Sequence, residues 1–146
     1  MAKEISSVAR YQARMEGKSG DYIKGIGFLV TQVPCVYIIR CTKNNAVYIG
    51  QTKHDMERQL QHFTKLRSNT HPNYKLQADY ELYGMEHFYF KIIKIEKNKL
   101  KRKWIESDYI IKAKQRELKG GIKIYNIKIP ERKEIGYEFK NEQNEK

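Results

Sequence analysis

Hydrophobic and polar positions change their rhythm several times along this chain. From Pro34 onward, Cys35-Val36-Tyr37-Ile38-Ile39 is a β-branched and aromatic run, and Ala46-Val47-Tyr48-Ile49 is a second. The turn formers Thr42-Lys43-Asn44-Asn45 separate them, so the pair predicts a β-hairpin. The period then becomes helical: Met56, Leu60, Phe63 and Leu66 make an apolar stripe, with Asp55 placed to cap the helix. A shorter helix is predicted over 74–83, with Leu76, Tyr80 and Tyr83 apolar and Gly84 at its end. Residues 87–95 predict a third strand through Phe88, Phe90, Ile92, Ile93 and Ile95. A long helix is expected over 97–119, closed by Gly120-Gly121, and 122–129 suggests a short extended piece. Hairpin, helices, strand, helix is the order of an α+β layer: a small antiparallel sheet with helices packed on it.

The ends read differently from this body. Residues 1–32 are a polar arm in which Val8, Tyr11 and Met15 have weak helical spacing before Glu16–Gly20 breaks it. Residues 128–146 form a charged tail expected to fray. With 146 residues in all, the body over 33–127 is one compact domain, large enough to bury a core without disulfides.

Charge sharpens the picture. The chain carries 29 Lys plus Arg against 17 Asp plus Glu, a net +12. The first 32 residues hold five basic and three acidic groups, and 127–146 hold five of each. The excess therefore sits in 33–126, with 19 basic against nine acidic side chains, a field suited to a polyanion. Cys35 and Cys41 lack metal-ligand spacing and read as buried free thiols of a reducing compartment. No apolar run approaches the roughly 18 residues of a membrane span, and the N-terminus lacks a secretory core, so the expected location is cytoplasmic.

The candidate chemistry lies in the hairpin and the helices after it. Tyr37 and Tyr48 are on neighbouring strands, and turn register decides whether they share a face. Gly50 ends the second strand, where bare backbone permits close approach. Arg58 and His62 are four apart on the next helix and so share a face.

Cys35-Val36-Tyr37, Tyr48-Ile49-Gly50 and then Arg58 closely resemble the GIY-YIG nuclease family. His71-Pro72-Asn73, Leu76-Gln77 and Tyr83-Gly84 are similar to a His-x-Asn, Leu-Gln, Tyr-Gly stretch of its phage and mobile-element members. Phe88 to Ile93 resembles the strand that follows, and Tyr125-Asn126 the closing pair. The resemblance covers about 33–127 and implies a central three-stranded antiparallel sheet flanked by helices. It also implies phosphodiester hydrolysis with one divalent metal. Cys35 replaces the family's opening glycine. The family's glutamate aligns with Glu106 through Glu106-Ser107-Asp108-Tyr109-Ile110, whereas a frame through Trp104-Ile105 puts Lys101 there. Glu106 is preferred because only that frame supplies a carboxylate.

Physical chemistry assigns roles compatible with the resemblance. Cleaving a phosphodiester requires an activated water, neutralisation of charge on the phosphate oxygens, and help for the departing alkoxide. Glu106 can hold Mg²⁺, with Mn²⁺ as the expected substitute, and the cation serves the last two needs. Arg58 offers a planar fork for phosphate. Tyr48 is expected to position the water and Tyr37 to support it, while His62 holds the tyrosine's proton or serves the leaving group. Nearby cations, Arg58 and Lys53, would make a phenol a better base. Lys99, Lys101, Arg102 and Lys103 read as a clamp on the nucleic-acid backbone, joined by Lys53, His71 and Asn126.

The expected activity is thus a magnesium-dependent DNA endonuclease. The alternative is a catalytically degenerate domain of the same fold that only binds nucleic acid. DNA is preferred to RNA because RNA-binding aromatic runs and Gly-x-x-Gly clamps are absent from the sequence. Monomer and homodimer remain open.

Overall fold

The structure, a computed structural model, describes residues 32–130. The polar arm expected over 1–32 and the charged tail expected over 128–146 lie almost wholly outside the described residues.

Strands β1 (Cys35–Cys41), β2 (Val47–Thr52) and β3 (Phe88–Ile95) form one antiparallel sheet in the order β2-β1-β3. Three helices complete the domain: α1 (Asp55–Arg67), α2 (Tyr74–Tyr83) and α3 (Lys99–Leu118). A single 3-10 turn, Met85–His87, leads into β3. This is the α+β arrangement that the hydrophobic pattern predicts.

The unbroken apolar run of β1 follows from its central place, with a strand on each edge and helices on both faces. Cys35, Tyr37, Ile39 and Cys41 point to one side, where they pack with Phe88, Phe90 and Ile92, Leu66 of α1, and Leu76 and Tyr80 of α2. Val36 and Ile38 point to the other, joining Ile49, Ile124, and Ile110 and Ala113 of α3. Each apolar face is thereby covered, and the layers are α1 and α2, sheet, α3.

Hairpin register decides the tyrosine question. Tyr37 pairs with Gly50 and Ile39 with Tyr48, so both phenols project from the α1 face. The hairpin turns at Asn45, whose φ of 61° is in the left-handed region that asparagine tolerates.

Beyond α3 the chain runs back along the free edge of β2. The extended piece expected over 122–129 is one parallel bridge, Val47 to Ile124. Val47 N–H donates to Lys123 at 3.1 Å, and Tyr125 N–H donates to the Val47 carbonyl at 2.7 Å. Ile129 still packs against the Val36–Ile38 cluster.

Several local expectations change. His54, not Asp55, is the N-cap of α1, and it makes no side-chain capping bond. Asp55 is the first helical residue and is buried; its Oδ1 accepts the Val33 N–H at 2.8 Å, fastening the entering chain. The apolar stripe also rotates: Leu60 is 60% exposed, whereas His62 is 8% exposed and faces inward with Leu66. On that inward face His62 Nε2 meets the Tyr37 hydroxyl of β1. Helix α3 starts at Lys99 because the Asn98 side chain caps it, accepting the Lys101 N–H at 2.9 Å. No helix among the described residues is long and apolar enough to cross a membrane.

Candidate active site

Tyr37 is 1% exposed, its ring stacked on Phe90 with centroids 4.4 Å apart. Its hydroxyl lies 2.7 Å from His62 Nε2. His62 Nδ1 lies 2.8 Å from His71 Nε2, and His71 Nδ1 accepts the Asn73 backbone N–H at 3.0 Å. That last bond fixes the whole chain of protons. A backbone N–H can only donate, so the proton of neutral His71 is on Nε2 and is given to His62 Nδ1. His62 then carries its own proton on Nε2 and donates to the Tyr37 oxygen. In this arrangement His62 orients Tyr37 as a donor; its accepting nitrogen is occupied by His71.

Burial holds both imidazoles neutral. His62 has its pKa lowered to about 3, first by desolvation and then by His71, Arg58 and Lys65. His71 is shifted down by burial and by Lys65. His71 itself is fixed by motif neighbours. Its backbone N–H donates to Gln77 Oε1 at 3.1 Å, and Gln77 Nε2 donates to the Leu66 carbonyl at 3.0 Å. Asn73 caps α2 through the Leu76 N–H at 2.9 Å and donates to the Tyr125 carbonyl at 2.9 Å. The His-x-Asn and Leu-Gln pattern is therefore a buried polar frame with its groups paired.

Tyr48 is only half-buried, and its ring meets His62 and His71 edge-on at 5.3 and 6.3 Å. It lines a cavity of about 480 Å³ with Arg58, Gln61, His62, Lys65, His71 and Lys128 among the walls. Burial raises the Tyr48 pKa, Glu106 raises it further, and Arg58 opposes both. Tyr37 is pushed up more strongly, mainly by burial and then by Tyr48, with Arg58 again opposing.

Glu106 approaches this cluster from α3, across the end of β2. Lys103, Arg58, the Gln51 backbone N–H and Arg102 all favour its charged form. Burial is nevertheless the largest influence and shifts its pKa upward. Arg58 Nη1 donates to the Gln51 carbonyl at 3.4 Å, and its Nε to Gln61 at 3.2 Å. Lys101, the competitor for the glutamate position, turns instead to Glu96 at 3.8 Å. Asp108 pairs with Lys112 at 2.8 Å.

Among the described residues, no group of three or more His, Cys, Asp or Glu side chains could hold a metal. Glu106 is a carboxylate influenced by the nearby Arg58 guanidinium. That donor set fits a hard cation such as Mg²⁺, which keeps several waters and takes substrate oxygens, and is poor for zinc.

The structure brings Tyr37, Tyr48, Arg58, His62 and Glu106 together, and redistributes the expected nucleic-acid contacts. Lys53, Lys99 and Lys103 are exposed. Arg102 departs from the expected clamp: it is 4% exposed, with Nε donating to Gln51 Oε1 at 2.7 Å and Nη1 to the Glu96 and Lys97 carbonyls. The Asn126 amide is likewise engaged, donating to the Ile49 carbonyl and accepting its N–H, both at 2.8 Å. His71 stands behind His62 with both ring nitrogens occupied. Sequence reasoning missed Gln51, Gln61, Lys65 and Lys128. Gln61 and Lys65 lie three and seven residues after Arg58, a helical spacing that places them on its face.

The fold and the cluster define a small α+β domain with tyrosine, arginine and glutamate gathered alongside one strand. The family model of the GIY-YIG catalytic domain matches residues 33–120, and the chain belongs to that family. Among solved structures, a mutant of the catalytic domain of the intron endonuclease I-TevI is 25% identical, with a TM-score of 0.57; 68% of this chain and 97% of that one are covered. Another structure of the catalytic domain of the homing endonuclease I-TevI is 30% identical with a TM-score of 0.54, covering 65% and 98%. No curated protein matches the chain.

Proposed function

We propose that this protein is a magnesium-dependent DNA endonuclease, acting on DNA as monomer or homodimer. The observation that carries the reading is that Tyr48, Arg58 and Glu106 lie close enough alongside β2 to shift one another's charge, with Tyr48 and Arg58 lining a cavity that Lys65 and Lys128 also line. Family membership and the net +12 charge support it.

Glu106 would hold the cation, which when bound neutralises charge on the phosphate and eases departure of the alkoxide. Arg58 binds a phosphate oxygen with its fork while its Nη1 stays tied to β2. Tyr48 lines the cavity beside Arg58, so its hydroxyl is the group that positions the attacking water. Tyr37, held by His62, supports it from the buried side. Proton removal by either phenol is disfavoured while burial and Glu106 raise its pKa, so cationic partners are required for the reaction to run near neutral pH.

Supercoiled plasmid incubated with Mg²⁺ or with EDTA, alongside an RNA substrate, tests this. Nicking or linearisation of DNA only when Mg²⁺ is free is expected. Salt-sensitive binding without cutting would instead establish the degenerate, binding-only domain.

A further inference from the structure

The free edge of β2 is closed by three successive rungs, and the last is unusual. At Val47 the partners are backbone groups of Lys123 and Tyr125. At Ile49 the Asn126 amide imitates a backbone, donating and accepting. At Gln51 the carbonyl accepts from Arg58 Nη1 at 3.4 Å, and the N–H lies towards Glu106, where it favours the charged carboxylate. The third position of the edge therefore faces the candidate metal ligand and is bonded to the candidate phosphate clamp.

The Gln51 side chain makes a further bond in the opposite direction. Its Oε1 accepts from Arg102 Nε at 2.7 Å, and Arg102 Nη1 donates to the Glu96 and Lys97 carbonyls at 3.2 and 3.4 Å. Arg102 is buried, so its charge-assisted bonds are shielded from water. Glu106 lies four residues after Arg102, one turn along the same face of α3. Fixing Arg102 to β2 therefore fixes the rotation of α3 that delivers Glu106 to the strand.

We propose that Gln51 is a positioning residue: its backbone holds Glu106 and Arg58 at a common spacing, and its side chain, through Arg102, sets the helix that carries Glu106. The inference rests on the nuclease reading above and deepens it. Gln51 does not touch substrate; it acts through groups that do.

Gln51→Leu is similar in size and removes the acceptor, whereas Gln51→Glu retains one. Two quantities are compared: kcat and KM on plasmid DNA, and Mn²⁺ affinity from water-proton relaxation, which needs no cleavage. Gln51→Leu should lower kcat and Mn²⁺ affinity each about 10–100-fold, the range typical of residues that orient a metal ligand, with KM changing far less. Gln51→Glu should restore both to within a few-fold. Should Gln51→Leu fail to fold, Gln51→Met removes the same acceptor from a more adaptable side chain. A lower melting temperature with unchanged kcat and Mn²⁺ affinity would overturn the proposal. Wild-type protein that cuts nothing would sink the nuclease reading alone. The relaxation titration would then still judge Gln51, with weakened Mn²⁺ binding in Gln51→Leu supporting its role and unchanged binding refuting it.

Discussion

Gly50→Ala should damage this protein through one identifiable clash. Gly50 faces Tyr37 across the hairpin, and a Cβ built there would overlap the Tyr37 hydroxyl and Cζ and come to 3.0 Å from Cε2. Its backbone is not left-handed; only Gly84 and Gly120 among the described glycines have positive φ. The penalty is therefore steric. Tyr37 cannot yield freely, being stacked on Phe90 and bonded to His62. Overpacking of this kind costs about 1–3 kcal/mol, and a strained Tyr37–His62 bond adds about 1 kcal/mol. The total of about 2–4 kcal/mol corresponds to a melting temperature lower by about 10–20 °C for a domain of this size. Thermal and urea unfolding of Gly50→Ala would measure it, with cleavage followed below the new midpoint, where activity should also fall. The same substitution in a Tyr37→Leu background separates causes: once the ring is gone, the added methyl should cost little. An equal loss in both backgrounds, or none in the wild type, would refute the steric argument.

Three further outcomes follow from the same geometry. Tyr48→Phe should reduce turnover by about 100-fold or more, within the range for losing a group that positions or transfers a proton. Tyr37→Phe should reduce stability as well as turnover, and full activity in both variants would contradict the assignment. Stability should depend on pH in the acid range, because His62 is neutral when folded, with a pKa near 3, but titrates at its ordinary value near 6.5 when unfolded. The unfolded chain thus binds more protons between those values, so this stability is complete above about pH 6.5. It falls as pH drops, by up to about 1.4 kcal/mol per pH unit for His62, with His71 adding in the same direction. Urea midpoints that stay flat from pH 7 to pH 4 would contradict it. Finally, Lys65→Ala and Lys128→Ala should each weaken DNA binding and shrink the salt-dependence slope by roughly 0.9 for each phosphate no longer neutralised, read from binding isotherms at several salt concentrations. An unchanged slope would remove those lysines from the DNA path.

Much of this architecture is legible in the sequence because apolar period and turn chemistry agree locally. The hairpin, the helix over Tyr74–Tyr83 and the strand over Phe88–Ile95 are all at or near their predicted places. Cys35 in place of the family's glycine is also intelligible: the position is a buried strand residue without positive φ, and a small thiol fills it. Errors arise where polar contacts override pattern. Leu60 has the right helical spacing for the core, but His62 takes the inward face because Tyr37 and His71 complete its bonds. Arg102 resembles its lysine neighbours in charge alone, whereas its fork reaches Gln51 and two carbonyls that no lysine could join together. Asn126 carries a family signature, yet its role in closing the strand edge depends on a partner 77 residues away in the chain. Long-range pairing of that sort leaves no local pattern.

The most direct test compares Glu106→Ala with Lys101→Ala for Mg²⁺-dependent cleavage of supercoiled plasmid. Glu106 meets Gln51, Arg58 and the Tyr48 environment, whereas Lys101 turns to Glu96. Cleavage abolished by Glu106→Ala and retained by Lys101→Ala is the predicted result. Retained cleavage in a folded Glu106→Ala protein would contradict the account at its centre.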